Sequence, residues 1–301
     1  MKKHIALNID KNYVNYCCIL IKSFIHHNNE LHFHILNNDL NSENQSKIQN
    51  IVEGTDSVIS FHFVNDNRFD GFPVSNQWPT AIYYRLLIPE LLPAELEKVL
   101  YCDCDVMIRG SIDELWDIDL TGYGVAAVED VLSPITPMIE QLGCDPEFGY
   151  FNSGVMLINL SFWRENNISE LALSYLQSNL DKIKHPDQDA LNFVLNKHWY
   201  RLHYKWNFLS TYQNLYYDKN HLLADYNKTI NNYPKIIHFS GVKPWNSKCR
   251  SIFKYEYIKF SNDAKLNINF SRHSSMEYIR HFALLLLDRM KLKKCSVNYY
   301  F

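Results

Sequence analysis

The sequence contains no run of about 18 apolar residues, so it offers no helix able to cross a membrane. Its start, "MKKHIALNIDKNY", carries lysines but no long apolar stretch behind them, and a secretory signal is not expected. Basic charge is not in excess: 30 Lys and Arg stand against 33 Asp and Glu, for a net charge of −3. That balance removes the electrostatic basis for sequence-independent nucleic-acid binding. A disulfide framework is missing as well. The cysteines (Cys17, Cys18, Cys102, Cys104, Cys144, Cys249 and Cys295) are odd in number and scattered, as reduced thiols are, and "CDC" has no second cysteine pair at zinc spacing. There is no internal repeat and no low-complexity linker. The 301 residues suffice for one large domain, or two smaller ones, around a substantial core.

What is present is a regular alternation of elements. "HIALNI" reads as a strand and is followed from Tyr13 by apolar residues at helical spacing, ending at Asn28-Asn29. "LHFHIL" is a second strand, residues 41–54 form a polar-faced helix opened by Ser42 and closed by Gly54, and "VISFHFV" is a third strand. A β-α-β-α-β order predicts an α/β fold, a mostly parallel sheet with helices on both faces. Ligands of such sheets bind beyond the carboxyl ends of the strands. Further along, residues 81–93 read as a helix, 99–101 as a strand and 124–130 as a strand ending in acids. "YFNSGVMLINL" reads as a strand with a polar bend at Asn152-Ser153-Gly154, residues 187–196 as a short helix, and "KIIHFSG" as a late strand reaching His238.

The chemistry concentrates in "VLYCDCDV", where an apolar run leads into Asp103 and Asp105. In an extended segment these two carboxylates point to one side. Held close, they repel unless a cation lies between them. A hard divalent ion such as Mg²⁺ or Mn²⁺, which leaves positions for phosphate, answers that need. Two turn acids with no ligand are the alternative. Helix capping is weakened as an explanation because Ser111, with Glu114 three residues on, predicts a capping box for the next helix. The pattern D-x-D-x-V also occurs in haloacid dehalogenase-like phosphatases, but the Gly-Asp-x-x-x-Asp motif they need is absent here.

Taken in order, "NIDKNY", the D-x-D, "YFNSGVMLINL", "HPDQDALN" and "HFSGVKPW" resemble the motifs of bacterial family 8 glycosyltransferases over about residues 4–250. The nearest likeness is to the lipopolysaccharide galactosyl- and glucosyltransferases. The resemblance implies a retaining, metal-dependent hexosyltransferase of GT-A fold, a Rossmann-like α/β architecture, with a UDP-sugar as donor and a saccharide as acceptor. It implies that Asp103, Asp105 and His238 hold Mn²⁺ or Mg²⁺ across the diphosphate. It places Ala6, Asn8, Asp10, Asn12, Arg85, Cys104, Asn152, Gly241 and Lys243 at the donor, beside the metal ligand Asp103. Asp187, Gln188 and Asp130 are then the residues at the reacting sugar. Cys104 is expected to be small and buried, turned away from the ion. Asp189 is expected to support its helix.

The boundaries expected are a catalytic domain over residues 1–260 and a tail over 261–301. From Ser271 the tail is apolar in its middle and basic at its end, with six Lys and Arg against two acids. Such a segment suits attachment to an anionic membrane surface. The expected location is therefore cytoplasmic, peripheral at the inner membrane. A transferase acting on a protein-linked glycan, or a sugar-nucleotide-binding protein without catalysis, are the alternatives that the sequence leaves open.

Overall fold

The computed structural model describes residues 2–65, 67–74, 79–130, 136–210, 234–249, 251, 253–266 and 268. The first strand, β1 (Lys3–Asn8), runs through the short 3-10 turn Lys11–Tyr13 into helix α1 (Val14–His27). Strand β2 (Leu31–Asn37), helix α2 (Ser42–Gln49) and strand β3 (Val58–Phe63) follow. After a 3-10 helix over Thr80–Leu87 come α3 (Ile88–Leu91), β4 (Lys98–Cys102), β5 (Val106–Ile108) and α4 (Asp113–Trp116). The chain continues through β6 (Val125–Glu129), α5 (Thr136–Gln141), β7 (Phe151–Asn159), α6 (Leu160–Glu165), α7 (Ile168–Ser178) and α8 (Pro186–Leu195). It then forms β8 (Trp199–Leu202), β9 (Phe208–Leu209), β10 (Ile236–His238) and α9 (Lys254–Asp263).

A seven-stranded sheet has the order β3-β2-β1-β4-β7-β6-β8, and a small second sheet has the order β5-β10-β9. In the large sheet only the two pairings made by β7 are antiparallel. Side chains alternate across it and bury both faces. Ile5, Leu7, Leu100 and Cys102 pack under α1, α2 and α9, while Ala6, Val99, Tyr101, Met156 and Ile158 pack under the 80–88 segment and α6–α8. This two-sided burial is the reason the strands read as near-continuous apolar runs. The six described cysteines are buried and unbridged.

Several local expectations are corrected. Residues 81–93 do not form one α-helix. Pro89 has no N–H to give the Arg85 carbonyl, which takes the Ile88 N–H instead, so the segment winds as a 3-10 helix and restarts at α3. Helix α2 is capped by Asn41, whose side chain accepts the Asn44 N–H, rather than opened by Ser42. The capping box at Ser111 does not form. Its hydroxyl bonds Asp113, and Glu114 is drawn away to Lys205 at 2.5 Å. The tail from Ser271 lies outside the described residues. Among the described residues no helix is long and apolar enough to cross a membrane.

Candidate active site

The acids sit where the chain passes from the large sheet to the small one. Strand β4 stops at Cys102, the Val106 N–H donates to the Asp103 carbonyl at 3.2 Å, and β5 begins. Asp103 and Asp105 therefore converge through a turn, not through the alternation of an extended strand. The turn is pinned from both sides: the Asp103 N–H donates to the Gly154 carbonyl at 2.8 Å, and the Asp105 carbonyl accepts the Phe239 N–H at 2.9 Å. Because β10 pairs with β5 in the register His238 opposite Val106, the His238 ring arrives beside the acids.

Each of the three groups has one atom tied and another directed inward. Asp103 Oδ1 accepts the Tyr101 hydroxyl at 2.5 Å and Arg85 Nη2 at 2.8 Å. Asp105 Oδ2 is paired with the Lys243 ammonium, while its Oδ1 is buried without a hydrogen-bond partner. A chain of amides fixes the His238 tautomer. The Gly154 N–H, a donor by necessity, points at Asn152 Oδ1 (3.1 Å). That oxygen also accepts Asn207 Nδ2 (2.8 Å), which leaves Asn207 Oδ1 facing His238 Nδ1 at 3.1 Å. Nδ1 therefore carries the proton, and Nε2 presents a lone pair to Asp105 Oδ1, 3.3 Å away. A lone pair facing a carboxylate oxygen calls for a proton or a cation between them.

The space is kept open by a glycine. A Cβ on Gly154 would lie 2.3 Å from His238 Cε1 and 2.9 Å from Asp103 Oδ2, so no side chain fits there. Burial disfavours ionisation of Asp103; Arg85 opposes that effect, the Asp105 charge reinforces it, and the carboxyl titrates above its usual range. Asp105 is buried too, yet the Lys243 ammonium beside it outweighs the desolvation and holds it well below that range. Burial would lower Lys243, but Asp105 raises it. Its ammonium stands against the acids as a built-in cation.

These residues fit a divalent ion. One ligand atom from each of Asp103, Asp105 and His238 lies within 4.8 Å of the others, two hard oxygens and one imidazole nitrogen, with an orphaned buried oxygen among them. That donor set suits Mn²⁺ somewhat better than Mg²⁺.

A cavity of about 150 Å³ opens beside this cluster, at the carboxyl ends of β1 and β4. Asn8, Asp10, Arg85, Asp103, Cys104, Asp105 and Lys243 all border it. Both side-chain heteroatoms of Asn8 are buried and unpaired, an arrangement that a hydrogen-bonding ligand would relieve. Asp10 accepts the N–H groups of Asn12 and Tyr13, capping the turn that enters α1, and still borders the cavity. Cys104 packs into the core on the β1 side, its thiol 3.8 Å from the Asn8 carbonyl. Two expected residues stand apart: Ala6 is buried in the sheet, and Asn12 is exposed. Gly241 adopts φ 77° in the exposed loop that carries Lys243. Trp245 stacks on Tyr16 at 3.6 Å and anchors that loop to α1.

Behind the cavity a second polar layer joins β7 to α8. Here the pairing of β7 with β6 slips between Ala127 and Glu129, beside the polar segment expected to bend. Arg85 bridges the layers, pairing with Asp103 and, at 3.0 Å, with Asp187. Asp187 also accepts the Ser153 hydroxyl. Gln188 Oε1 accepts the Ser153 N–H at 3.0 Å and the Asn152 amide at 3.2 Å, and both amides reach Asp130 Oδ2. Asp189 accepts the N–H groups of Lys184 and His185 and the Tyr150 hydroxyl, a supporting role as expected. Sequence reasoning did not single out Tyr101 or Asn207. Tyr101 could have been found two residues before Asp103. Asn207 carries no local signal, since only the fold brings it to His238.

A mostly parallel sheet with an acid turn, an inward histidine and a lysine at its carboxyl edge defines a GT-A glycosyltransferase. The galactosyltransferase LgtC, in complex with donor and acceptor sugar analogs, shares this fold, with a TM-score of 0.77 and 26% identity over 92% of this chain and 99% of its own. The chain belongs to glycosyl transferase family 8, which it matches over residues 4–249. Among its relatives, general stress protein A of Bacillus subtilis is 31% identical over 88% of this chain and 94% of its own length. A lipopolysaccharide 1,2-glucosyltransferase of Escherichia coli is 33% identical over 81% of this chain and 73% of its own length. A lipopolysaccharide 1,3-galactosyltransferase of Salmonella typhimurium is 31% identical over 82% of this chain and 74% of its own length.

Proposed function

We propose that this enzyme moves a hexose, galactose or glucose, from a UDP-sugar to a saccharide acceptor in lipopolysaccharide or lipooligosaccharide assembly, with retention at the anomeric carbon. The relatives named for lipopolysaccharide glucosyl and galactosyl transfer support the hexose and the acceptor class. The observation that carries the reading is the inward set of Asp105 Oδ1, His238 Nε2 and the Asp103 carboxylate beside Lys243.

Asp103, Asp105 and His238 would hold Mn²⁺ or Mg²⁺, which when bound supplies Lewis-acid stabilisation of the leaving diphosphate. Lys243 is positioned to exchange its contact with Asp105 for a diphosphate oxygen. Asn8 and Asp10 supply hydrogen-bonding groups for the uridine, and Arg85 fixes Asp103 and Asp187 relative to one another. Gln188 Oε1 and the Asp187 carboxylate are both engaged by neighbouring donors. Contacts of this kind suit side chains that position the sugar, and the transfer at the anomeric carbon is read as front-face. The bond from that carbon to the UDP oxygen breaks, the acceptor oxygen bonds on the same face, and its proton passes to the departing phosphate. Asp130, Asn152 and Gln188 then act as positioning residues around the sugar. One LgtC structure carries an active-site change of glutamine to glutamate, in keeping with a glutamine at such a position.

The enzyme works on the cytoplasmic side in this reading, with the segment from Ser271 as its membrane contact. The residues just past the expected 260/261 boundary belong with the catalytic core, since α9 runs to Asp263 and Ser261 and Leu266 are buried. The test is UDP release from UDP-galactose and UDP-glucose with Mn²⁺, with and without a saccharide acceptor. Slow release from one donor, accelerated by acceptor, is expected; binding without turnover of either donor would overturn the reading.

A further inference from the structure

Thirteen histidines occur in the chain, and four of them meet on one face of the large sheet, away from the acid turn. In the parallel register His4 lies opposite His32, and His34 lies two residues further along β2. The period of two puts all three on the same face, and His62 joins from β3. The rings are in contact: His32 and His34 stack with centroids 4.2 Å apart, and His4 lies 5.1 and 5.2 Å from them. His4 Nδ1 is 2.9 Å from His34 Nε2, and His34 Nδ1 is 3.0 Å from His62 Nε2.

The protons can be assigned along this chain. His62 donates a hydrogen bond to the Leu91 backbone, so its other nitrogen, the Nε2 facing His34, is left as an acceptor. His34 then donates through Nδ1 and turns an Nε2 lone pair toward His4. His32 is steadied through Nε2 by the Ser60 hydroxyl at 2.8 Å. One nitrogen from each of His4, His32 and His34 lies within 4.8 Å of the others. His34 is buried, while His4 and His32 are half-buried and give a way in. Burial, with the neighbouring rings, pushes His32 down to about 4 and His34 to about 2, so the rings are neutral at pH 7 with lone pairs available. Burial lowers His4, Glu95 opposes that effect and Lys2 adds to it.

We infer that His4, His32 and His34 form a second metal site, distinct from the acid turn, for one Zn²⁺ or a similar imidazole-preferring ion, with a fourth position open to solvent. Three imidazoles with no carboxylate or thiolate select Zn²⁺, Ni²⁺, Cu²⁺ or Co²⁺ over Mg²⁺ or Mn²⁺. His62 serves as the outer acceptor that orients His34, as second-layer partners of zinc-bound histidines do. Binding at His4 Nδ1 moves that ring's single proton to its Nε2, the other tautomer of the neutral imidazole, so both nitrogens now sharing it become lone-pair donors without net proton release.

Co²⁺ is the probe, because a tetrahedral His-ligated site gives it visible absorption. The full chain carrying Asp105→Asn, which disables the acid turn, is stripped of metal and titrated with Co²⁺, then with Zn²⁺ as competitor. One equivalent of absorbing Co²⁺, displaced by one Zn²⁺, is expected. Adding His32→Gln or His4→Gln should abolish it, and adding His62→Ala should weaken it about 10–100-fold. UDP-hexose turnover by the single His32→Gln or His4→Gln variants in the otherwise native chain should stay at the native rate. Histidine ring NMR of the Asp105→Asn protein needs no histidine variant: Zn²⁺ should shift the His4, His32 and His34 signals and leave His185 and His198 in place. Absence of a Co²⁺ band, an unchanged equivalent in both histidine variants, or Zn²⁺ shifts confined to other rings would overturn the assignment.

Discussion

Asn207 touches neither acid, yet it decides which His238 nitrogen faces them. Its Oδ1 lies 3.1 Å from His238 Nδ1 and its Nδ2 lies 2.8 Å from Asn152 Oδ1, and the side chain is fully buried. Asn207→Ala removes the acceptor that orients His238 and leaves a space in which the ring can turn. Loss of such an outer partner weakens metal binding about 10–100-fold, or roughly 1.4–2.7 kcal/mol. The magnitude is expected in the apparent affinity for Mn²⁺, not in the rate at saturating Mn²⁺. Asn207→Asp separates the two contacts. It keeps an oxygen for His238 but places a second acceptor against Asn152 Oδ1, so Mn²⁺ affinity should hold while the hexose side of the site is disturbed. The assay is UDP release against Mn²⁺ concentration, with circular dichroism to confirm folding. A fall in rate with Asn207→Ala that added Mn²⁺ does not restore would refute the relay and make Asn207 a packing residue.

Gly154→Ala would place a methyl within 3 Å of His238 and Asp103, and activity should fall at least 100-fold with the fold retained; near-native turnover would contradict the close approach. Lys243→Ala should raise the KM for the UDP-sugar and lower kcat together, since the ammonium is assigned to the diphosphate; a change in neither would remove it from the site. His32 and His34 are held neutral in the fold, whereas their unfolded counterparts titrate near the ordinary 6.5. Between about pH 6.5 and 4 the unfolded state therefore binds more protons, and stability falls as pH falls through that window. Urea midpoints at pH 7 and pH 5 should show the loss, and His32→Asn should reduce it; equal losses in both proteins would contradict the assignment.

The first half of the sheet was legible because β1, β2 and β3 alternate with α1 and α2 at spacings that local pattern reveals. The late strand ending at His238 was legible too, from an apolar run stopped by a polar one. The small sheet was not, because β5 continues the same apolar stretch past the turn, and only pairing with β10 separates it from β4. That pairing also explains how the acids converge, which the period-two reading attributed to an extended strand. Family motifs placed Asp103, Asp105, His238, Arg85 and Lys243 in the chain, and the fold brings these five together. They could not show that Asp103 Oδ1 is already occupied by Tyr101 and Arg85, nor that Asn207 sets the histidine tautomer. Such contacts between distant segments leave no spacing to read. Ala6 and Asn12 share the first motif with Asn8 and Asp10 but not the cavity, since alternation turns Ala6 into the core and the turn carries Asn12 to solvent.

The central claim is that Asp103, Asp105 and His238 hold a divalent ion against the diphosphate of the donor. Calorimetric titration of UDP into the metal-stripped protein, with and without Mn²⁺, tests it most directly. Tight binding that requires Mn²⁺ in the native chain, and loses that requirement together with its affinity in Asp103→Asn, is the result expected. UDP binding of equal strength in EDTA and in Mn²⁺ would contradict it.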